Sequence, residues 1–233
     1  AGSVFPLIKS HPDIVIKATG IKKLANDMCD CIGGRRMHPT RPVVGGFTML
    51  PDKKELIKFR ERLQDVINGL LFTAELFRTF NIPDFVRETE FVSLKGDENY
   101  PFIGGGLIST DGVAKKEQEY KQMTNEYIVS QSTSKWSRLS RRSFAVGALA
   151  RINNNFEFLH PAAREVSLSF GLKPLNHNPY MNNIAQLVEC VHVVNESLGL
   201  IEELLDSEWT EPRQEVVPQK GTGVGAVEVP RGI

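Results

Sequence analysis

With 233 residues, 41% of them hydrophobic, the chain has enough apolar material for one large domain or two small ones, which excludes wholesale disorder. Lys plus Arg and Asp plus Glu each count 28, so no net field points to nucleic acid or an anionic membrane as a main partner. No run approaches the roughly 20 apolar residues of a bilayer span, and no basic segment followed by an apolar core opens the chain, so the expectation is a cytoplasmic protein.

From His11 to Ile32, apolar residues recur at helical spacing (Ile14, Ala18, Ile21, Leu24, Met28), and Gly33-Gly34 stops the helix. Asp52 caps a second, longer helix whose face runs Leu56, Phe59, Leu63, Val66, Leu70, Ala74 and Phe77, with Pro83 beyond its end. Residues 85–114 change character: EFVSL and GGGLIST, set among turn formers, predict a small hairpin or irregular sheet. Further helices are expected over Glu117–Ile128, Phe144–Ile152 and Pro161 to about Phe170. Asn178-Pro179 opens the last one, with a buried stripe from Ile184 through Leu187, Val191, Val194 and Leu198 to Leu205. The pattern predicts one mainly α domain over 1–233 with minor β, the β-rich insertion lying at about 85–114.

The chemistry-bearing motifs are sparse. Cys29 and Cys31 form C-x-C on a helix, where i and i+2 face different ways and cannot grip one ion together; packing as small hydrophobes is the expectation for them. Cys190 stands alone, and His160, His177 and His192 lack metal-ligand spacing, so they read as structural or exposed and no metal site is expected. GTGVG, Gly221–Gly225, lacks the strand before and helix after that a nucleotide loop needs, and reads as a flexible approach to the last strand. In GGRRMHPTRPVVGGF, glycine pairs bracket His38 and three arginines; the stretch is either a surface loop or a cationic edge that holds an acidic partner or a cofactor-bearing subunit. SKWSRLSRR sets Trp136 among four cations, a combination that can bind single-stranded nucleic acid but reads here as a solvated turn or subunit interface. Glu126 and Lys135 read as a solvated pair unless a shared pocket joins them.

Taken in order, HPDIVIKATGIKKLANDMCDCIGGRRMHPTRPVVGGF, STSKWSR with AVGALARIN, NHNPY and GVGAVEVPRG resemble the catalytic large (alpha) subunit of nickel-iron hydrogenases, in the soluble cytoplasmic branch linked to NAD(P), coenzyme F420 or heterodisulfide chemistry. The resemblance runs from about His11 to Gly232. It implies a helical hydrogenase large-subunit-like domain truncated at both ends, and a parent that reversibly oxidises dihydrogen at a nickel-iron centre. Four cysteines hold that centre, in two C-x-x-C motifs near the ends of the family's large chain, and neither motif is in these residues. The chain is therefore expected to be an internal fragment that binds no cofactor and is inactive alone.

The same resemblance suggests roles for individual residues. Glu228, Pro230 and Arg231 match the family's E-x-P-R-G segment over the metals, with Val229 where alanine is usual. Arg231 is then an electrostatic and hydrogen-bonding support, since a guanidinium is a poor base. Glu126 and Lys135 resemble positions that hold waters around a buried magnesium or similar ion. His38 and the glycine loop, with Gly45 and Gly46, resemble the segment that approaches an iron-sulfur small subunit. Electron-acceptor subunits are further implied partners, and self-association through exposed core surfaces is expected of the chain alone. Two alternatives stand beside this reading: a metal-free hydrogenase-like subunit of a complex I type respiratory complex, and a non-redox helical interaction domain.

Overall fold

The computed structural model describes residues 5–209 and 211–233. Its contacts gather into two compact units, one of Ala1–Thr73 with Val193–Lys220 and one of Ala74–His192 with Gly221–Ile233.

The first unit is helical. A short helix α1 (Phe5–Ser10) leads into α2 (Pro12–Gly33), which has proline in its first turn and ends where Gly34, at φ 79°, returns its N–H to Asp30 O. A two-residue ladder, β1 (Pro42–Val43) with β2 (Gly46–Phe47), follows. Then comes α3 (Lys53–Arg78), capped as expected by Asp52, whose carboxylate accepts the Lys54 N–H at 2.9 Å. Leu24, Leu56, Phe59, Leu63 and Ile201 form this unit's core. Lys53 donates to Leu205 O and Ser207 O, each at 2.9 Å, placing a cation on carbonyls at the end of the last helix.

The second unit is built around a four-stranded sheet of order β5-β4-β3-β8. Its strands are β3 (Glu90–Lys95), β4 (Gly106–Ser109), β5 (Ala114–Lys115) and, after a small separate hairpin of β6 (Asn125–Tyr127) and β7 (Trp136–Arg138), β8 (Phe144–Ala145). β3 is buried from Glu90 to Leu94, pairing antiparallel with β4 and parallel with β8. The helix α4 (Ala148–Asn155) packs on it with all eight residues buried. Because α4 has no solvent face, its polar side chains bond inward. Asn154 Nδ2 donates to Phe91 O and Ser93 Oγ, and Asn155 Nδ2 to Leu94 O and Arg151 O. Next, α5 (Pro161–Ser169) is capped by His160, and α6 (Asn182–Asp206) follows a turn capped by Asn178.

Three expectations fail here for physical reasons. Glu117–Ile128 has no apolar stripe beyond Met123; it gives a 3₁₀ helix, Glu117–Gln122, and then β6, whose Tyr127 pairs with Trp136. Phe144 begins not a helix but β8, since its backbone is taken by the ladder to Glu90, and only Gly147 at φ 94° turns the chain into α4. Cys29 is exposed rather than packed, while Cys31 lies half-buried against the first unit's core. The expectation of no spanning stretch also needs correction: Pro179–Asp206 is long and apolar enough for a span by length and composition alone. On it Ile184, Ala185, Val188 and Val191 are buried, while Val193, Leu200 and Leu204 are exposed.

Candidate functional site

The terminal stretch is built into the second unit. Gly104 donates to Ala226 O, Glu228 N–H donates to Phe102 O at 2.7 Å, and Val229 and Gly232 exchange backbone bonds at 3.1 and 2.9 Å to close a turn around Pro230-Arg231. Gly147 and Gly232 both have positive φ, and a Cβ on Gly147 would come within 3.2 Å of Arg231 O, so only glycine lets the turn approach α4 this closely.

Beneath the turn lies a cluster of buried charge. Arg151, 1% exposed, donates through Nε and Nη2 to the two oxygens of Glu189 at 2.6 and 2.7 Å. Its Nη1 donates to Glu228 Oε2 and to Val229 O, each at 2.9 Å, and its Nη2 also to Pro230 O at 3.2 Å. The other Glu228 oxygen accepts the Leu94 N–H at 2.9 Å, and Tyr100 Oη donates to Glu189 at 2.8 Å. Burial works against the guanidinium's charge, but the bonds and charges of Glu189 and Glu228 outweigh it and push its pKa up. Burial raises Glu228, partly offset by the Leu94 N–H and Arg151. Burial and the Glu189 carboxylate lift the Tyr100 phenol well above its ordinary value.

Of the sequence candidates, Pro230 and Arg231 sit in this turn and Glu228 immediately precedes it. Glu228 is buried, with its oxygens engaged by Arg151 and Leu94, whereas Pro230 and Arg231 are exposed, and the Arg231 guanidinium has no bond or ion pair among the described residues. Glu126 and Lys135 meet on the β6-β7 hairpin at 2.9 Å with side chains 54% and 64% exposed. An ion pair so wet contributes little: Glu126→Gln is expected to change unfolding free energy by less than about 1 kcal/mol in a denaturant titration. Nearby, the basic cluster is partly neutralised, Arg141 pairing with Asp111 and Glu88 and Arg138 lying over the Tyr127 ring. In the first unit, Gly45 and Gly46 have positive φ and lie against the backbone of 212–214; Gly45 O accepts the Gln214 N–H and Phe47 N–H reaches Pro212 O. His38, at φ 55°, is exposed.

Sequence reasoning missed Arg151, Glu189 and Tyr100. The available signal was one charge of each sign, Arg151 in ALARI and Glu189 in QLVECV, set in otherwise apolar helical runs. Neither has a solvent face to explain it.

Among the described residues no group of three or more His, Cys, Asp or Glu is placed to hold a metal ion. The chain has three cysteines, and Cys29 and Cys190 are exposed. The donor set thus does not fit a centre held by four thiolates, and the ion-paired Glu126 does not by itself make a magnesium site.

No protein-family model matches the chain. The alpha chain of sulfhydrogenase 1 from Pyrococcus furiosus is 31% identical over 227 residues, covering 97% of this chain and 52% of that protein. The vhu F420-non-reducing hydrogenase of Methanococcus voltae contains a chain that is 26% identical over 253 residues, covering 99% and 59%. The chain therefore spans only about half the length of the curated relatives it matches. A solved NAD+-reducing [NiFe]-hydrogenase in the H2-reduced state superposes with a TM-score of 0.83 over 99% of this chain and 55% of that one, at 18% identity, which shows the fold.

Proposed function

With the chain a homologue of hydrogenase alpha subunits over nearly all of its length, we propose that it supplies the interior of a nickel-iron hydrogenase large subunit, and that the whole protein reversibly oxidises dihydrogen to protons and electrons. The observation that carries this reading is the terminal turn: Pro230 and Arg231 are presented on a backbone pinned to buried charges, with the Arg231 cation left unpaired among the described residues. Such an arrangement suits a cation that supports polar groups brought by the rest of the protein. Among the described residues no group is placed to hold a metal ion, so the chain alone is proposed to be inactive and metal-free, and no step is assigned to it through a nickel-iron centre.

The proposed partners are electron-acceptor subunits and an iron-sulfur small subunit, in a cytoplasmic complex. With the Gly45-Gly46 backbone engaged by 212–214, His38 lies in the exposed run 35–40, which the proposal offers to a partner. Ile103, Ile128 and Val217, each more than 70% exposed, are surfaces through which the chain alone would self-associate.

Two preparations test the reading. The whole protein with its partner subunits is expected to reduce a dye with hydrogen, and the 233-residue chain alone to carry no stoichiometric nickel and to run as an oligomer in light scattering. A whole complex without hydrogen turnover would sink the function. An isolated chain that bound nickel one-to-one and evolved hydrogen would sink the division of labour.

A further inference from the structure

We propose that Arg151 is a positioning residue: held from below by Glu189 and Glu228, it fixes the Val229–Gly232 turn so that the Arg231 side chain is presented in one place. The inference rests on the hydrogenase reading above. A guanidinium has five N–H groups in a rigid plane, and here every one is used: two on Glu189, one on Glu228, and one each on the carbonyls of Val229 and Pro230. Those two carbonyls belong to the residues immediately before Arg231. Fixing both peptide planes fixes the direction from which the Arg231 side chain leaves the backbone.

If the cluster served packing alone, two carboxylates and one cation could satisfy one another without reaching the turn. Removing three charges from water is costly, and replacing such a cluster with apolar residues is often neutral or stabilising. Here two of the five N–H groups go instead to one short stretch of backbone. Gly147 and Gly232 add to this, because their positive φ values and missing side chains let the turn seat directly on the start of α4. The contrast within four residues is sharp: Glu228 is buried and fully engaged, while Arg231 is exposed and free among the described residues. A lysine at 151 keeps the charge but has a single nitrogen, which cannot span Glu189, Glu228 and two carbonyls at once.

The test uses the whole hydrogenase complex with Arg151→Lys and, as a milder second variant, Glu189→Gln, which loosens the hold on the guanidinium but leaves its bonds to the turn. Backbone hydrogen exchange is read by mass spectrometry alongside hydrogen-dependent dye reduction. In Arg151→Lys, exchange at the Val229 and Gly232 amides is expected to rise about tenfold or more, while β3, α4 and α6 stay within about twofold of wild type. The hydrogen KM should hold while kcat falls. Glu189→Gln should show the same local pattern at smaller amplitude. Unchanged exchange over 228–232 in Arg151→Lys overturns the proposal, and so does a rise spread evenly through the second unit, which marks a merely structural role. Should Arg151→Lys fail to fold, Glu189→Gln decides by the same two criteria. A wild-type complex that turns over no hydrogen defeats the functional reading instead, and the exchange comparison still decides whether Arg151 fixes the turn.

Discussion

Replacing Arg151 by methionine is expected to cost the protein about 3–5 kcal/mol of stability, more than the loss of any other single member of the buried charge cluster. The cause is what remains behind. Glu228 has a side chain with no solvent exposure, and Glu189 one that is 11% exposed, so neither carboxylate can recover its hydration once the cation is gone. Two like charges are then left facing the space the guanidinium filled, and the carbonyls of Val229 and Pro230 lose their donors. The triple change Arg151→Met, Glu189→Gln, Glu228→Gln removes all three charges together and is expected to recover more than half of the loss. Urea titrations of wild type and the two variants measure this directly. If the single and triple variants proved equally unstable, the loss would lie in packing rather than in unpaired charge.

The contrast between what the sequence revealed and what it hid follows the range of the interactions involved. Local signals located the long helices well: Gly34 ends α2, Asp52 caps α3, Pro161 opens α5 and Asn178 caps the turn before α6, each through bonds within a few residues. The strands at β3 and β4 were legible from β-prone residues and their turns. What failed depended on a partner strand rather than on the residues' own pattern. Tyr127 becomes a strand residue because Trp136 lies across from it, and Phe144 because Glu90, far away in sequence, does. The family resemblance singled out Glu228, Pro230 and Arg231, which are near neighbours in the sequence. It could not supply the joining of Arg151 to Glu228 and Glu189, which stand 77 and 38 residues from it. A charge inside an apolar helix announces that a partner exists, and only the tertiary structure says which one.

The second large effect concerns pH. As the medium is taken from pH 7 to about 4, the protein is expected to lose stability through one buried imidazole. His192 is 2% exposed, and its Nδ1 accepts the His160 N–H at 3.0 Å, which fixes the neutral ring with its proton on Nε2. Tyr100 and Phe102 pack on the ring at 4.7 and 6.4 Å between centroids. Burial, with the charge of nearby His160 as a smaller cause, lowers the His192 pKa from 6.5 to about 4. Above pH 6.5 the ring is neutral in both folded and unfolded chains and the stability is fully present. Between 6.5 and about 4 the unfolded chain takes up a proton that the folded one refuses, so stability falls with pH, and below 4 the contribution levels off. The whole shift corresponds to about 3 kcal/mol, and solvent screening reduces the expected loss to about 2 kcal/mol. Glu228 works in the opposite sense, because its raised pKa lets the folded state take a proton first. A matched variant separates the two. His192→Asn keeps an oxygen able to accept the His160 N–H but cannot titrate, so its stability should fall by about 2 kcal/mol less than wild type over the same range. Denaturant titrations at about pH 7, 5.5 and 4.5 measure the difference, and parallel curves for the two proteins would assign the acid sensitivity to other groups.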